Sequence, residues 1–504
     1  MSSTFKKDET KRYFGMLLIF LLIKGIWAYL IILFSDIGLA PDEAQYWTWS
    51  QDLALGYYSK PPGIAWQIYL TTFFFGNTLL GVRIGAIFFL FFLPLIIWKL
   101  ARKLHLPSQV AFWGAMSFAF SPIGIFYSFA AVTDVGAIFF LTAAVLEVMR
   151  NSRPNYYFIG LWIFLGALFK WVVFVFWPLF LCLYFLEKKL RHPSMAIGIL
   201  ISLLAFIPTL IWNAAHDFST FKHVYFTLFN PKTSIRTGRN FFDFLGAQIG
   251  LLSPLFFIFL IFSLIVVYTR GGKKKMFVAS FPTMSLFYFV AAFFKKIQPN
   301  WALYLYPPGF ALLGIYPLVH KSYGKFWLFV GLWSSIFGSC FAILIPTIQS
   351  HGLLPLPYNI NPFRQTLGWN KLETALVQSG YNPNRDFLFS DKYQMTSLLS
   401  FYGPQQKRAY FFNLGGARKN QFSYWPGMEQ EVGKTGYFVI GENKKGETSW
   451  YKKHYDEKLG PYFERVEFVL EEPLFEAGGE TVKFAMIFRC INYNGKEPFT
   501  SVKY

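Results

Sequence analysis

Residues 79–103 read LLGVRIGAIFFLFFLPLIIWKLARK, an almost unbroken apolar run that ends in Lys99, Arg102 and Lys103. At about 1.5 Å per residue, a helix of this stretch crosses the ~30 Å hydrocarbon core of a bilayer. Its basic end marks the inner side, because Lys and Arg accumulate in loops that stay in the cytoplasm. The signature recurs outward in both directions. Lys6, Lys7, Lys11 and Arg12 precede it; Arg150 and Arg153, then Lys188, Lys189 and Arg191, then Arg270, Lys273, Lys274 and Lys275, and finally Lys321 with Lys325 follow. Successive clusters are spaced about as two membrane crossings require. A chain of 504 residues that is 54% hydrophobic and only 15% charged has too little polar surface for a water-soluble fold, in which about a quarter of residues are charged. The formal charge of +20 sits mostly at the ends of apolar runs, so it reports topology and excludes a nucleic-acid partner. Cys182, Cys340 and Cys490 are far apart and show neither a disulfide framework nor metal-ligand spacing, so no metal site is expected.

Hydropathy and length place spanning helices near 13–36, 79–101, 109–129, 133–149, 156–170, 172–186, 195–213, 244–268, 276–294, 301–319 and 326–347. With a cytoplasmic N-terminus this count puts every basic cluster on one side. The run at 13–36 follows basic residues as a signal peptide would, but its length fits an uncleaved anchor. Segment 61–76 is expected to lie in the interface, since a further span there would move Lys99 to Lys103 outside. The opposite side receives residues 37–78, the turns near 130–134 and Lys170, the loop 214–243, and 295–300. Residues 1–347 form the membrane domain. After Ile348 the hydropathy collapses, and 348–504 reads as a soluble α/β domain with strands near 386–389, 437–440, 466–470 and 482–488 and a helix near 371–379.

The first outer loop carries Pro41-Asp42-Glu43-Ala44-Gln45-Tyr46-Trp47 and then Tyr57-Tyr58-Ser59-Lys60-Pro61-Pro62-Gly63. Adjacent carboxylates, aromatic rings such as Tyr46 and Tyr57, and a lone lysine supply a base, a sugar-stacking surface and a phosphate counter-charge. The same carboxylates also suit the start of a solvated helix. Asp134 stands between two apolar runs, where a charge is expensive and marks either function or a helix N-cap with Thr133. Lys170 interrupts an apolar stretch in the same way, as a site residue or a snorkelling lysine. Lys232, Arg236 and Arg239 oppose the inside-positive trend and suit either a phosphate ligand or lipid headgroups. Gln298, Asn300 and Trp301 offer amides and an indole for a sugar, although Trp301 equally suits an aromatic belt.

This arrangement, with Asp42-Glu43 after the first helix, Tyr57 to Pro62, Thr133-Asp134, Lys170 and Gln298 to Trp301, resembles the bacterial protein mannosyltransferase and aminoarabinose transferase superfamily. The resemblance spans about residues 13–347. It implies a polytopic α-helical GT-C fold of about eleven to thirteen transmembrane helices with a C-terminal soluble α/β domain. It also implies inverting transfer of a sugar from a polyprenyl-phosphate donor to an envelope acceptor: lipid A, lipopolysaccharide core, another glycan or a protein. By this likeness Asp42 is the catalytic carboxylate. Glu43, Tyr46, Tyr57, Lys60, Asp134, Lys170, Arg236, Arg239, Gln298, Asn300 and Trp301 contact the substrates, with Lys60 stabilising the phosphate. Aminoarabinose transferases carry an arginine shortly after the acidic pair, where this chain has Ala44-Gln45. A divalent cation is the one cofactor the resemblance leaves open, and Ser59 replaces the acidic residue those enzymes carry before Lys-Pro-Pro.

The expected location is a bacterial inner membrane, with the N-terminus cytoplasmic and residues 348–504 periplasmic. The competing readings are a transporter or flippase of lipid-linked glycans, and a membrane scaffold. The first predicts internal repeats and charges at mid-membrane, neither of which the sequence presents. The second leaves Asp42, Asp134 and Lys60 without a reason.

Overall fold

The computed structural model describes residues 2–150, 153–229, 239–320, 323–443 and 448–499. Two compact units emerge. The first comprises Met1–Leu33, Lys60–Ile211 and Phe229–Cys340; the second comprises Phe34–Ser59, Trp212–Leu228 and Phe341–Tyr504.

Among the described residues, six helices are long and apolar enough to cross a membrane: Asp8–Phe34, Leu79–Lys103, Ser194–Ala215, Lys273–Phe294, Pro299–Val319 and Gly324–Ser350. Ser108–Ala119 with Pro122–Phe129 forms a span bent by 61°, and Tyr156–Phe169 and Trp171–Leu186 are shorter apolar helices. The expected run 244–268 requires a correction. Its chain breaks by 96° between Arg239–Leu252 and Pro254–Arg270, because Ser253 adopts φ 75 and Pro254 opens the next helix. A proline at the first helical position cannot continue the preceding ladder. Segment 61–76 folds as the helix Gly63–Phe75, whose 13 residues reach only about 20 Å.

Close helix contacts in this unit depend on glycine. Where Tyr156–Phe169 meets Ser194–Leu203, a Cβ on Gly160 would fall 2.3 Å from the Gly198 carbonyl oxygen. Small residues at such crossings let backbones approach where hydrocarbon supplies no hydrophobic drive.

The second unit is built on a mixed sheet of β1 (Phe387–Ser390), β2 (Tyr410–Phe411), β3 (Gly436–Glu442), β4 (Phe463–Ala477) and β5 (Glu480–Tyr493), in the order β2-β1-β3-β5-β4. β1 runs parallel to β2 and β3, while β5 pairs antiparallel with both β3 and β4. The β4–β5 turn uses Gly478 and Gly479 at φ 60 and 83, the left-handed backbone a tight hairpin demands. Phe389, Phe438, Phe484 and Phe488 fill the core against Tyr455 and Leu459 of the helix Thr448–Leu459.

The boundary read from the sequence at residue 347 misses the second unit's discontinuity. Residues 34–59 pack with the C-terminal part. The Leu39 amide donates to the Tyr402 hydroxyl at 2.6 Å, and the Trp47 ring meets Phe401 edge-on at 4.9 Å. The Tyr58 amide donates to Gln421 Oε1 at 2.8 Å. Residues 212–228 join through Thr220, whose hydroxyl donates to the Tyr57 carbonyl at 3.0 Å. Trp47 is 1% exposed, so Trp47→Ala is expected to destabilise the second unit by about 3–5 kcal/mol. Thermal unfolding combined with limited proteolysis of the C-terminal part measures it.

Candidate active site

The two units each carry part of the predicted chemistry. In the second, Pro41–Ser50 forms a helix with Pro41 at its first position. Every residue from Glu43 to Ser50 is buried, while Asp42 is exposed. Glu43 accepts a hydrogen bond from the Ala40 amide at 2.9 Å and caps its own helix. The Tyr57 ring stacks on Trp49 at 4.6 Å, and its hydroxyl donates to the Trp49 carbonyl at 2.9 Å. Burial pushes its phenol pKa up. Glu43 and Tyr57, both expected to touch substrate, are bonded or stacked within the loop itself. Tyr46 is also buried, edge-on to Trp49 at 5.1 Å.

Asp42 has neighbours that the sequence did not reveal. Tyr393, the first residue of the helix Tyr393–Tyr402, has its phenol pKa raised by burial and then by the negative charge of Asp42, while Arg418 pulls it down through its charge and a hydrogen bond. The Arg418 guanidinium also donates to His223 Nδ1 at 2.9 Å. Asp42 thus lies within electrostatic reach of a phenol, in a cluster that includes a guanidinium. Neither Tyr393 nor Arg418 lies in a recognisable motif.

In the first unit, Asp134 sits in the first turn of the helix Thr133–Val148, whose N-cap is Val132 and has no side-chain cap. The capping alternative therefore fails. The Asp134 carboxylate accepts from Lys170 Nζ at 2.8 Å and from Asn300 Nδ2 at 3.4 Å. Side-chain exposures of 6% for Asp134 and 14% for Lys170 make this a buried pair, not a snorkelling lysine. The Pro299–Trp301 turn carrying Asn300 is pinned by Gln248, which donates to the Pro299 carbonyl at 3.1 Å and accepts from the Tyr306 hydroxyl at 2.9 Å. Gln248 escaped the sequence reading; a fully buried amide in an apolar helix was its signal. Gln298 is exposed, and Trp301 has the Lys295 ammonium 5.7 Å from its ring.

Lys60 is half-buried at the start of this unit. Three residues later, a Cβ on Gly63 would fall 2.7 Å from the Leu168 carbonyl oxygen. Only glycine lets the Lys-Pro-Pro-Gly segment lie against the turn that presents Lys170. Arg239 is the exposed first residue of its helix, and Arg236, like Lys232, lies outside the described residues. Among the described residues, no group of three or more His, Cys, Asp or Glu is arranged to hold a metal ion.

Residues 59–212 match the family described as dolichyl-phosphate-mannose-protein mannosyltransferase. A lipid A galacturonosyltransferase, RgtD of Rhizobium johnstonii, is 27% identical over 390 residues, covering 75% of this chain and 80% of the relative. The solved structure of ArnT from Cupriavidus metallidurans bound to undecaprenyl phosphate superposes with a TM-score of 0.64 at 12% identity, covering 93% of this chain and 97% of that one. Its apo form gives 0.61, covering 95% and 98%. The chain is a glycosyltransferase with the fold of ArnT. The ArnT likeness is one of fold, and it extends through the C-terminal sheet domain of this transferase. Likeness to glycosyltransferases in sequence, and to ArnT in fold, favours the enzyme over the transporter and scaffold readings.

Breaking a buried ion pair strands the remaining charge at a cost of about 3–5 kcal/mol, whereas neutralising both partners is often tolerated. In this transferase Asp134→Asn alone is expected to lower thermal stability clearly, and Asp134→Asn with Lys170→Met to restore most of it. A double-mutant cycle by thermal unfolding in detergent tests the coupling.

Proposed function

We propose that this transferase moves a sugar from a polyprenyl-phosphate carrier to an envelope lipid or glycan, in a bacterial inner membrane, on the periplasmic side. The donor class is suggested by the undecaprenyl phosphate in the ArnT complex and by the dolichyl-phosphate-mannose family match. The acceptor class is suggested by the lipid A galacturonosyltransferase relative. The side is suggested by the basic clusters, which assign residues 37–78 and the C-terminal domain to the outer face.

The observation that carries the reading is the exposure of Asp42 on a helix otherwise buried from Glu43 to Ser50. A buried scaffold holding one solvent-facing carboxylate beside a phenol is the arrangement a general base needs. In the proposed step an acceptor oxygen attacks the anomeric carbon, the bond from that carbon to the phosphate oxygen breaks, and the polyprenyl phosphate departs with the electron pair. The sugar leaves with inverted configuration. A hydroxyl acceptor passes its proton to Asp42. A phosphate monoester has its second pKa near about 6, so the leaving group needs little acid assistance. It benefits instead from positive charge, the role given to Lys60 with Arg236 or Arg239. Asp134, which binds both Lys170 and Asn300, holds these two groups and the Asn300 turn for the sugar.

Extracts of cells producing wild-type protein, no protein or Asp42→Asn should differ by one sugar-sized mass on an envelope lipid, present only with the wild type. In purified protein Asp42→Asn is expected to lower turnover by about 10²–10⁴-fold, and Lys60→Ala by about 10²–10³-fold, with unchanged unfolding temperatures. Transfer within twofold of wild type in both variants removes the assignment.

A further inference from the structure

The second unit contains a cavity of about 330 Å³ that the catalytic assignment does not use. Its walls include the rings of Phe422, Tyr424, Trp425 and Phe499, and its polar lining includes Lys419 and Glu429. This volume lies at the small end of ligand pockets, which run about 300–1,000 Å³. It suits one or two sugar rings and is too small for the acyl chains of a lipid.

The lining has the chemistry of a pyranose site. A pyranose presents apolar C–H faces and a rim of hydroxyls, and aromatic faces bordered by polar side chains match both. The rings are braced by neighbouring side chains. Phe422 meets Trp425 edge-on at 5.3 Å, and the Arg408 guanidinium lies 5.3 Å from the Trp425 ring. The Lys419 ammonium is 5.8 Å from the Tyr424 ring, and Glu429 with Glu497 brings carboxylates to the same cavity. Charges of both signs favour a neutral polyhydroxyl ligand over a phosphate. Phe499 is 58% exposed, an isolated aromatic whose position at the cavity gives it a use.

The cavity's lining is linked through chain and contacts to residues around Asp42 within this unit. The Tyr424 ring stacks on Tyr58 at 6.2 Å, and its hydroxyl is hydrogen-bonded to Ser219. Gln421, in the same short helical turn as Tyr424, accepts from the Tyr58 amide. Lys419 borders the cavity, while the preceding residue, Arg418, shares Tyr393 with Asp42.

We propose that this cavity is an acceptor subsite that binds a neutral pyranose residue of the acceptor glycan and so positions it on the unit that carries Asp42. The proposal rests on the transferase reading above. Its test uses full-length protein in detergent, with methyl glucopyranoside, methyl galactopyranoside and methyl mannopyranoside as probes in saturation-transfer NMR. Wild-type protein should transfer saturation to the ring C–H protons of at least one probe. Phe499→Ala and Trp425→Ala should each weaken that signal severalfold and raise the acceptor KM about tenfold, the scale of one lost aromatic contact, with kcat within twofold. Phe499→Ala removes an exposed ring, so it keeps the test meaningful if Trp425→Ala misfolds. Absence of saturation transfer from all three probes, or wild-type KM in Phe499→Ala, overturns the subsite. Pyranose binding without any transfer by the wild type overturns the transferase reading and leaves the cavity a sugar site.

Discussion

A carboxylate and an ammonium 2.8 Å apart inside an apolar helical body set the terms for the first unit. In such surroundings either charge is costly without its partner, so each fixes the position of the other and of whatever segment bears it. Three otherwise separate segments converge on this pair: the first turn of Thr133–Val148, the turn at Lys170, and the Asn300 segment that Gln248 and Tyr306 hold in place. The fit around it is tight. A Cβ on Gly136 would fall 2.5 Å from the Phe169 ring, and one on Gly63 would meet the backbone at Leu168. The pair is therefore a positional device, and its near-neutral sum leaves the handling of phosphate charge to other cations.

The spans were legible because a helix in hydrocarbon has to be apolar along its length, and that constraint is written residue by residue. The break at Ser253 was less visible, since it depends on a positive φ before Pro254 in an otherwise continuous apolar run. Asp134 and Lys170 announced themselves as charges in the wrong place, and the structure joined them to Asn300, which the sequence had also singled out. The neighbours of Asp42 were not readable in this way. Tyr393 and Arg418 reach it from more than 300 positions away, through the packing of Pro41–Ser50 on Tyr393–Tyr402. Glu43, expected to contact substrate, stands three residues after Ala40, the position of a capping carboxylate, and accepts the Ala40 amide there.

The strands followed their β-branched and aromatic runs, and the long β4–β5 hairpin exceeded them because its edge residues are charged. Glu464, Glu467, Glu471, Glu472 and Glu476 spread charge along β4, the edge strand of the sheet, and charged side chains discourage a free edge from pairing with another chain.

The discontinuity of the second unit also has a consequence for biosynthesis. Ribosomes deliver Trp47 and Tyr58 long before Phe401, Gln421 and Tyr424, the groups that pack on these two rings or bond the Tyr58 backbone. Until those partners have emerged and folded, the early loop presents bare aromatic surface, the hallmark of a species that chaperones hold and proteases remove. A nonsense mutation after the final membrane helix would therefore leave cells with little protein at all, and its phenotype would report quality control before it reported lost chemistry.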